Sequence, residues 1–182
     1  MAFEFARAAV AAGLPPPARA FLSAMLPPDT PPGDRPWRKS AGLGTPALQE
    51  ECRAWGMNEA VLSPSVWPAF EPLLRSDFQL FDEYEYEVSP ADGAASVLSC
   101  PLTVFAGTRD GRCPASALCG WARFAGKKGS ASADSGLPAF ELVNVEGPHL
   151  WPLDKAAKPG WMRAILERAA TELGGGQWLM DG

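Results

Sequence analysis

Two residues of this chain are best suited to chemistry, a carboxylate at Asp110 and an imidazole at His149, the only histidine in the sequence. Each stands just past a short apolar run with strand character, Asp110 after Leu102–Gly107 and His149 after Phe140–Val145. A carboxylate beside an imidazole accepts the Nδ1 proton, fixes the tautomer and stabilises imidazolium. Nε2 is then free to take a proton from a hydroxyl or thiol nucleophile. One helix and one strand of sequence separate the two residues, which sets neighbouring strand ends side by side at the edge of a sheet where functional residues collect. Plainer readings compete. The stretch Gly107-Thr-Arg-Asp-Gly111 is also a good turn, and a single histidine is often a packing or surface residue.

The nucleophile is harder to find. On an α/β sheet it belongs in a Gly-x-Ser-x-Gly elbow, and the chain order is nucleophile, acid, histidine. No serine here has glycine both two before and two after it. The nearest pattern is Gly111-Arg-Cys-Pro-Ala115, with Cys113 in the nucleophile slot. It would place the nucleophile after the acid, and Asp110 and Gly111 already occupy the turn that an elbow needs. Cys113 is read as a packing thiol.

The elements around these residues alternate. An alanine-rich helix is expected over Phe3–Ala12, with Phe3, Ala6 and Val10 on one face and Gly13 as its stop. A short buried strand follows within Ala18–Met25. Between Thr45 and Tyr86 the pattern is helical: Leu48, Cys52 and Trp55 share a face. A longer helix, Ser65 to about Tyr84, carries Phe70, Leu73, Leu74, Phe78 and Phe81 at spacings of three and four. That stripe reads either as core packing or as a helical cover over a greasy pocket, and the spacing does not separate the two. After a loop at Ser89–Ser99, an uninterrupted apolar strand ends at Gly107, as suits a parallel strand buried on both faces. A helix over Ala115–Ala125 with Leu118, Trp121 and Ala122 inward comes next. A loop at Gly126–Gly136 and a strand at Phe140–Val145 follow. The closing helix is expected over Pro159–Leu173, with Trp161, Ile165 and Leu166 inward.

Composition narrows the function classes. The 182 residues make one domain, 47% hydrophobic and 20% charged, as in ordinary globular proteins. Net charge is -5 and the basic residues form no cluster, which argues against nucleic acid as a partner. The four cysteines, Cys52, Cys100, Cys113 and Cys119, form no C-x-x-C pair. With a single histidine, no zinc site is expected, and no cofactor either. Scattered thiols read as reduced, so a cytoplasmic location is expected. Met1–Gly13 carries Glu4 and Arg7 and lacks the order of a signal peptide. Charges, prolines and glycines interrupt every apolar run, so no membrane span is expected.

Taken together and in order, several pieces resemble the type II thioesterases, stand-alone α/β-hydrolases that serve fatty-acid, polyketide and nonribosomal peptide synthases. These pieces are Leu74-Arg-Ser-Asp-Phe78, Glu83-Tyr-Glu-Tyr86, Cys100-Pro-Leu-Thr-Val-Phe-Ala-Gly107, Asp110, Trp121, Phe140-Glu-Leu142 and Gly147-Pro-His149. The resemblance implies an α/β fold, the C-terminal portion of an α/β-hydrolase, with a parallel sheet, flanking helices and a helical lid inserted at about 45–86. It implies Asp110 as triad acid and His149 as base. Phe70, Leu74 and Phe78 would then face the acyl group, and the partner would be an acyl carrier protein or its phosphopantetheine-bound acyl chain. Ala2–Arg7 resembles the helix that follows the elbow in this family, so the serine and the oxyanion donors are expected upstream of it, and residues 1–182 are expected to be inactive alone. The alternatives are a catalytically dead fragment that only binds carrier or acyl group, and a carboxylesterase-like hydrolase. Three departures stand out: Pro148 in place of a glycine, Leu150-Trp151 in place of phenylalanines, and a longer loop at 126–136.

Overall fold

The computed structural model describes residues 2–87, 98–126 and 136–174. Its elements run α1 (Ala2–Ala11), β1 (Ala20–Ser23), α2 (Thr45–Ala54), α3 (Glu59–Leu62), α4 (Trp67–Asp82), β2 (Leu102–Gly107), α5 (Ala115–Leu118), β3 (Phe140–Val145) and α6 (Lys158–Glu172). Most of the loops expected at Ser89–Ser99 and Gly126–Gly136 lie outside the described residues.

The three strands form a parallel sheet in the order β1-β2-β3. The central strand β2 is buried along its whole length, which is what its unbroken apolar sequence requires. Side chains alternate across a strand, and β2 uses both faces. Leu102, Val104 and Ala106 enter a core with Phe3 and Ala6 of α1 and with Leu118, Trp121 and Phe124. On the other face Phe105 meets Phe21, Trp151 and Trp161, so α6 covers that side. Helices thus flank the sheet on both faces, the arrangement a parallel sheet demands.

The helix expected over Ala115–Ala125 is one α turn followed by a 3-10 helix, Cys119–Phe124. Its repeat of three buries Leu118, Trp121 and Phe124, whereas Ala122, expected inward at α spacing, is exposed. Two other apolar residues also fall outward. Leu166 on α6 is 48% exposed and Val10 on α1 is 39% exposed; in each helix neighbouring residues alone meet the narrow strip of sheet beneath.

The segment from α2 to α4 has a core of its own. Leu48, Cys52, Leu62 and Trp67 are buried together, with Leu43, Met57, Leu74 and Phe78 packed against them. Glu71 ties this layer: it accepts from Trp67 Nε1 at 2.7 Å, from Thr45 Oγ1 at 2.9 Å and from Arg75 at 2.6 Å. The Arg75 guanidinium, then the Thr45 hydroxyl, hold the Glu71 carboxyl below its usual range. Among the described residues no helix is long and apolar enough to cross a membrane.

Candidate active site

Asp110 and His149 meet at the C-terminal ends of β2 and β3. Parallel register pairs Gly107 with Val145, so both loops leave the sheet at the same height. The loops are then stitched by backbone: Thr108 N donates to Val145 O at 2.8 Å and Arg109 N to Gly147 O at 2.9 Å. His149 Nδ1 lies 2.8 Å from Asp110 Oδ2. Asp110 Oδ1 accepts the backbone N–H groups of Arg112 and Cys113, both at 2.9 Å. The Asp110 carboxyl group is fully buried, and the imidazole side chain keeps 16% of its surface open. Such a carboxylate has no freedom to turn away from the ring.

Two glycines make room for this loop, and sequence reasoning passed over both. A Cβ on Gly107 would stand 2.7 Å from Trp151 Cδ1 and 2.8 Å from Gly147 O. Gly147 has φ +144°, and a Cβ there would stand 2.6 Å from Trp151 Cβ. The fully buried Trp151 thus sits against the backbone of both strand ends and anchors the turn that carries His149. Close approach of a large ring to backbone is a tertiary fact, and the local signal was only Gly-Pro before the histidine.

On its open side His149 lines an apolar cavity of about 200 Å³ with Met25, Trp37, Trp55, Met57, Phe78, Phe81 and Leu150. Of the three residues expected to face an acyl group, Phe78 lines this cavity. Leu74 packs into the core of the helical layer, and Phe70 is 42% exposed on the surface. The stripe divides by what stands opposite each turn, because residues four apart lie only about 40° apart around a helix: Leu74 and Phe78 both pack against the helical core, and of the three only Phe78 also reaches the cavity. Trp37 and Met25 had no periodic signal to reveal them. Met25 is delivered by Ala24, whose φ of +48° turns the chain sharply as β1 ends; Trp121 Nε1 donates to Met25 O at 2.7 Å.

Trp55 was expected on the inner face of α2, and it lies against the imidazole with ring centroids 4.6 Å apart. The Arg112 guanidinium stands 4.9 Å from the Trp55 ring and donates to Glu51 Oε1 at 2.7 Å. Arg112 thus joins two layers at the site: its backbone N–H donates to Asp110, and its side chain reaches Glu51 and Trp55.

Cys113 is fully buried. Burial, then the Asp110 carboxylate, push its thiol up to about 12, so at neutral pH it is neither ionised nor reachable by substrate.

No family model matches this sequence, and no curated protein does. Solved structures do match. The chain is similar to RedJ, a thioesterase of the prodiginine pathway in Streptomyces coelicolor, at TM-score 0.66 and 18% identity over 91% of this chain and 58% of that one. It is similar to YbtT, a type II thioesterase from the yersiniabactin NRPS/PKS pathway, at TM-score 0.68 and 20% identity over 94% and 61%. Human thioesterase 2 matches at TM-score 0.66 and 19% identity over 94% and 68%. The chain spans less than two thirds of RedJ and YbtT. Identities this low speak for architecture, and the architecture is plain: this chain has part of the α/β-hydrolase fold, as found in type II thioesterases.

Proposed function

We propose that this chain supplies the acid and the base of an acyl-thioester hydrolase acting on acyl groups carried by a phosphopantetheine arm, as on an acyl carrier protein. Asp110 is the acid and His149 the base. The helices between Thr45 and Tyr86 are a lid, and Trp37, Trp55, Phe78 and Phe81 receive the acyl chain. The observation that carries this reading is the 2.8 Å contact between His149 Nδ1 and Asp110 Oδ2 on a ring that also borders an apolar cavity. The thioesterases among the structural neighbours favour this substrate class.

In this mechanism His149 Nε2 takes the proton of a serine hydroxyl, the serine attacks the thioester carbonyl, and as the C–S bond breaks the imidazolium gives that proton to the departing thiolate. Water then hydrolyses the acyl-enzyme by the same base. The sequence holds no Gly-x-Ser-x-Gly elbow, so the serine and the oxyanion donors come from a segment outside these residues. The sealed Cys113 does not replace them.

The test compares two proteins. Residues 1–182 alone should not hydrolyse acyl-carrier or acyl-CoA thioesters above background, since one oxyanion donor alone is worth about 10²–10³ in rate. A longer chain with an elbow ahead of α1 should turn over, and His149→Ala in it should abolish turnover. Equal rates on simple carboxylic esters would favour an esterase. Hydrolysis by the short chain that vanishes on changing Cys113→Ala would overturn the assignment of the nucleophile.

A further inference from the structure

We propose that Asp110, Cys113 and His149 form a site for a borderline-soft divalent cation such as Zn²⁺ or Co²⁺, and that filling it removes His149 as a base. A carboxylate oxygen, the thiol sulfur and a ring nitrogen of these residues all lie within 4.8 Å of one another. Tetrahedral zinc with ligands at about 2.0–2.3 Å sets neighbouring donors about 3.3–3.6 Å apart. The Asp110–His149 contact of 2.8 Å therefore has to widen by about half an ångström, and donor separations of up to 4.8 Å have to close by about an ångström, so the ring that borders the cavity has to move as the ion enters.

Three further observations fit a cation. Once the thiol has given up its proton on binding, thiolate and carboxylate together carry two negative charges, which match a divalent ion. The nearest guanidinium, on Arg112, is already engaged by Glu51. Asp110 Oδ1 stays held by two backbone amides, the outer support that orients a ligating carboxylate. Two donors are buried, and the third belongs to a ring whose opposite side borders the cavity.

Binding is balanced as follows. A metal–sulfur bond replaces the S–H bond, and the thiol proton goes to solvent. The metal takes the Nδ1 lone pair, so the single proton of the neutral imidazole resides on Nε2. That nitrogen then has no lone pair with which to accept a proton from a nucleophile. The sequence argued against zinc because it holds no C-x-x-C pair and a single histidine; an Asp110-x-x-Cys113 spacing with a remote histidine lies outside those patterns.

Cobalt reports the site directly, because thiolate-to-cobalt charge transfer absorbs in the near ultraviolet. The 182-residue chain should bind one equivalent of Co²⁺ with that band, and Zn²⁺ should displace it. Cys113→Val, which preserves buried volume, should lose the band; circular dichroism checks that it folds. His149→Ala, at a more open position, should weaken binding by more than the ~10–100-fold that an outer support typically contributes. Cys119→Ser, at the exposed thiol, should change nothing. A band that survives Cys113→Val, a band that disappears with Cys119→Ser, or no binding by the folded chain would each overturn the site. The block of catalysis rests on the hydrolase reading and is tested separately. In an active longer chain, Zn²⁺ should inhibit, and Cys113→Val should lose that inhibition relative to its own uninhibited rate. Cobalt binding without any hydrolase activity would leave the site standing and sink the hydrolase reading.

Discussion

The two ends of the parallel sheet each bury a carboxylate against a basic side chain, but they do so in opposite ways. At the N-terminal end Arg19 donates to Glu172 Oε1 through Nε at 2.8 Å and Nη2 at 2.6 Å. Its remaining donors reach Thr103 Oγ1 at 3.0 Å and Pro138 O at 2.7 Å. Both side chains are 1% exposed. At the C-terminal end the carboxylate is equally buried, yet its partner is an imidazole with an open face onto an apolar cavity. A sealed pair locks α6 and three strands together. An open pair on the same sheet keeps one ring nitrogen available, and that is the condition for chemistry.

Breaking each end should therefore have different consequences. The largest effect is expected from Asp110→Asn in an active longer chain: turnover should fall by about 10⁴, the typical cost of losing tautomer control in such a triad. Thermal unfolding of the same variant should show a much smaller change. Next comes Glu172→Ala, which strands the Arg19 charge and should cost about 3–5 kcal/mol by urea unfolding. Activity per folded molecule should not change; if it does, the two ends are coupled and the contrast fails.

Gly107→Ala sharpens the contrast from inside the active end. Its Cβ meets Trp151 and two backbone carbonyls, so a cost of about 1–3 kcal/mol is expected. A displaced His149 turn should lower turnover as well, and a variant of unchanged stability and rate would show that Trp151 yields freely. The smallest effect concerns pH. Glu141 accepts a bidentate bond from Arg168 at 2.6 and 2.7 Å, and that bond first of all holds its carboxyl below the usual range. A depressed folded value means that this contribution is present above the unfolded value of about 4.3 and is lost as pH falls through the folded one. Melting temperatures from pH 7 down to 3 should fall less steeply for Glu141→Gln than for the parent.

Much of this was legible in the residues because it depends on short-range pattern. The continuous apolar run Leu102–Gly107 identified the central strand, since only a strand covered on both faces tolerates it. The Phe140–Val145 strand and the helices near α1, α4 and α6 followed from periodicity and from glycine and proline stops. Asp110 and His149 were legible as a pair because each ends a strand, and parallel neighbours bring such ends together. The stripe on α4 was less informative: its period shows that one side is apolar, not which of its residues meet a neighbour. Leu74 and Phe78 pack against the helical core, Phe78 also borders the cavity, and Phe70 is exposed, a division made by what stands opposite each turn of the helix.

By itself, then, the sequence determined the order of elements, the strand that must be central, and the two strand ends where a carboxylate and an imidazole would emerge. These follow from side-chain period, turn chemistry and apolar runs, all properties of a few consecutive residues. The tertiary structure alone decided that Trp55 closes on His149 from another layer, that Arg112 reaches that layer at Trp55 and Glu51, and that Trp151 lies against Gly107. Those contacts join residues far apart in the chain, and nothing in local spacing carries the distance at which two packed layers meet.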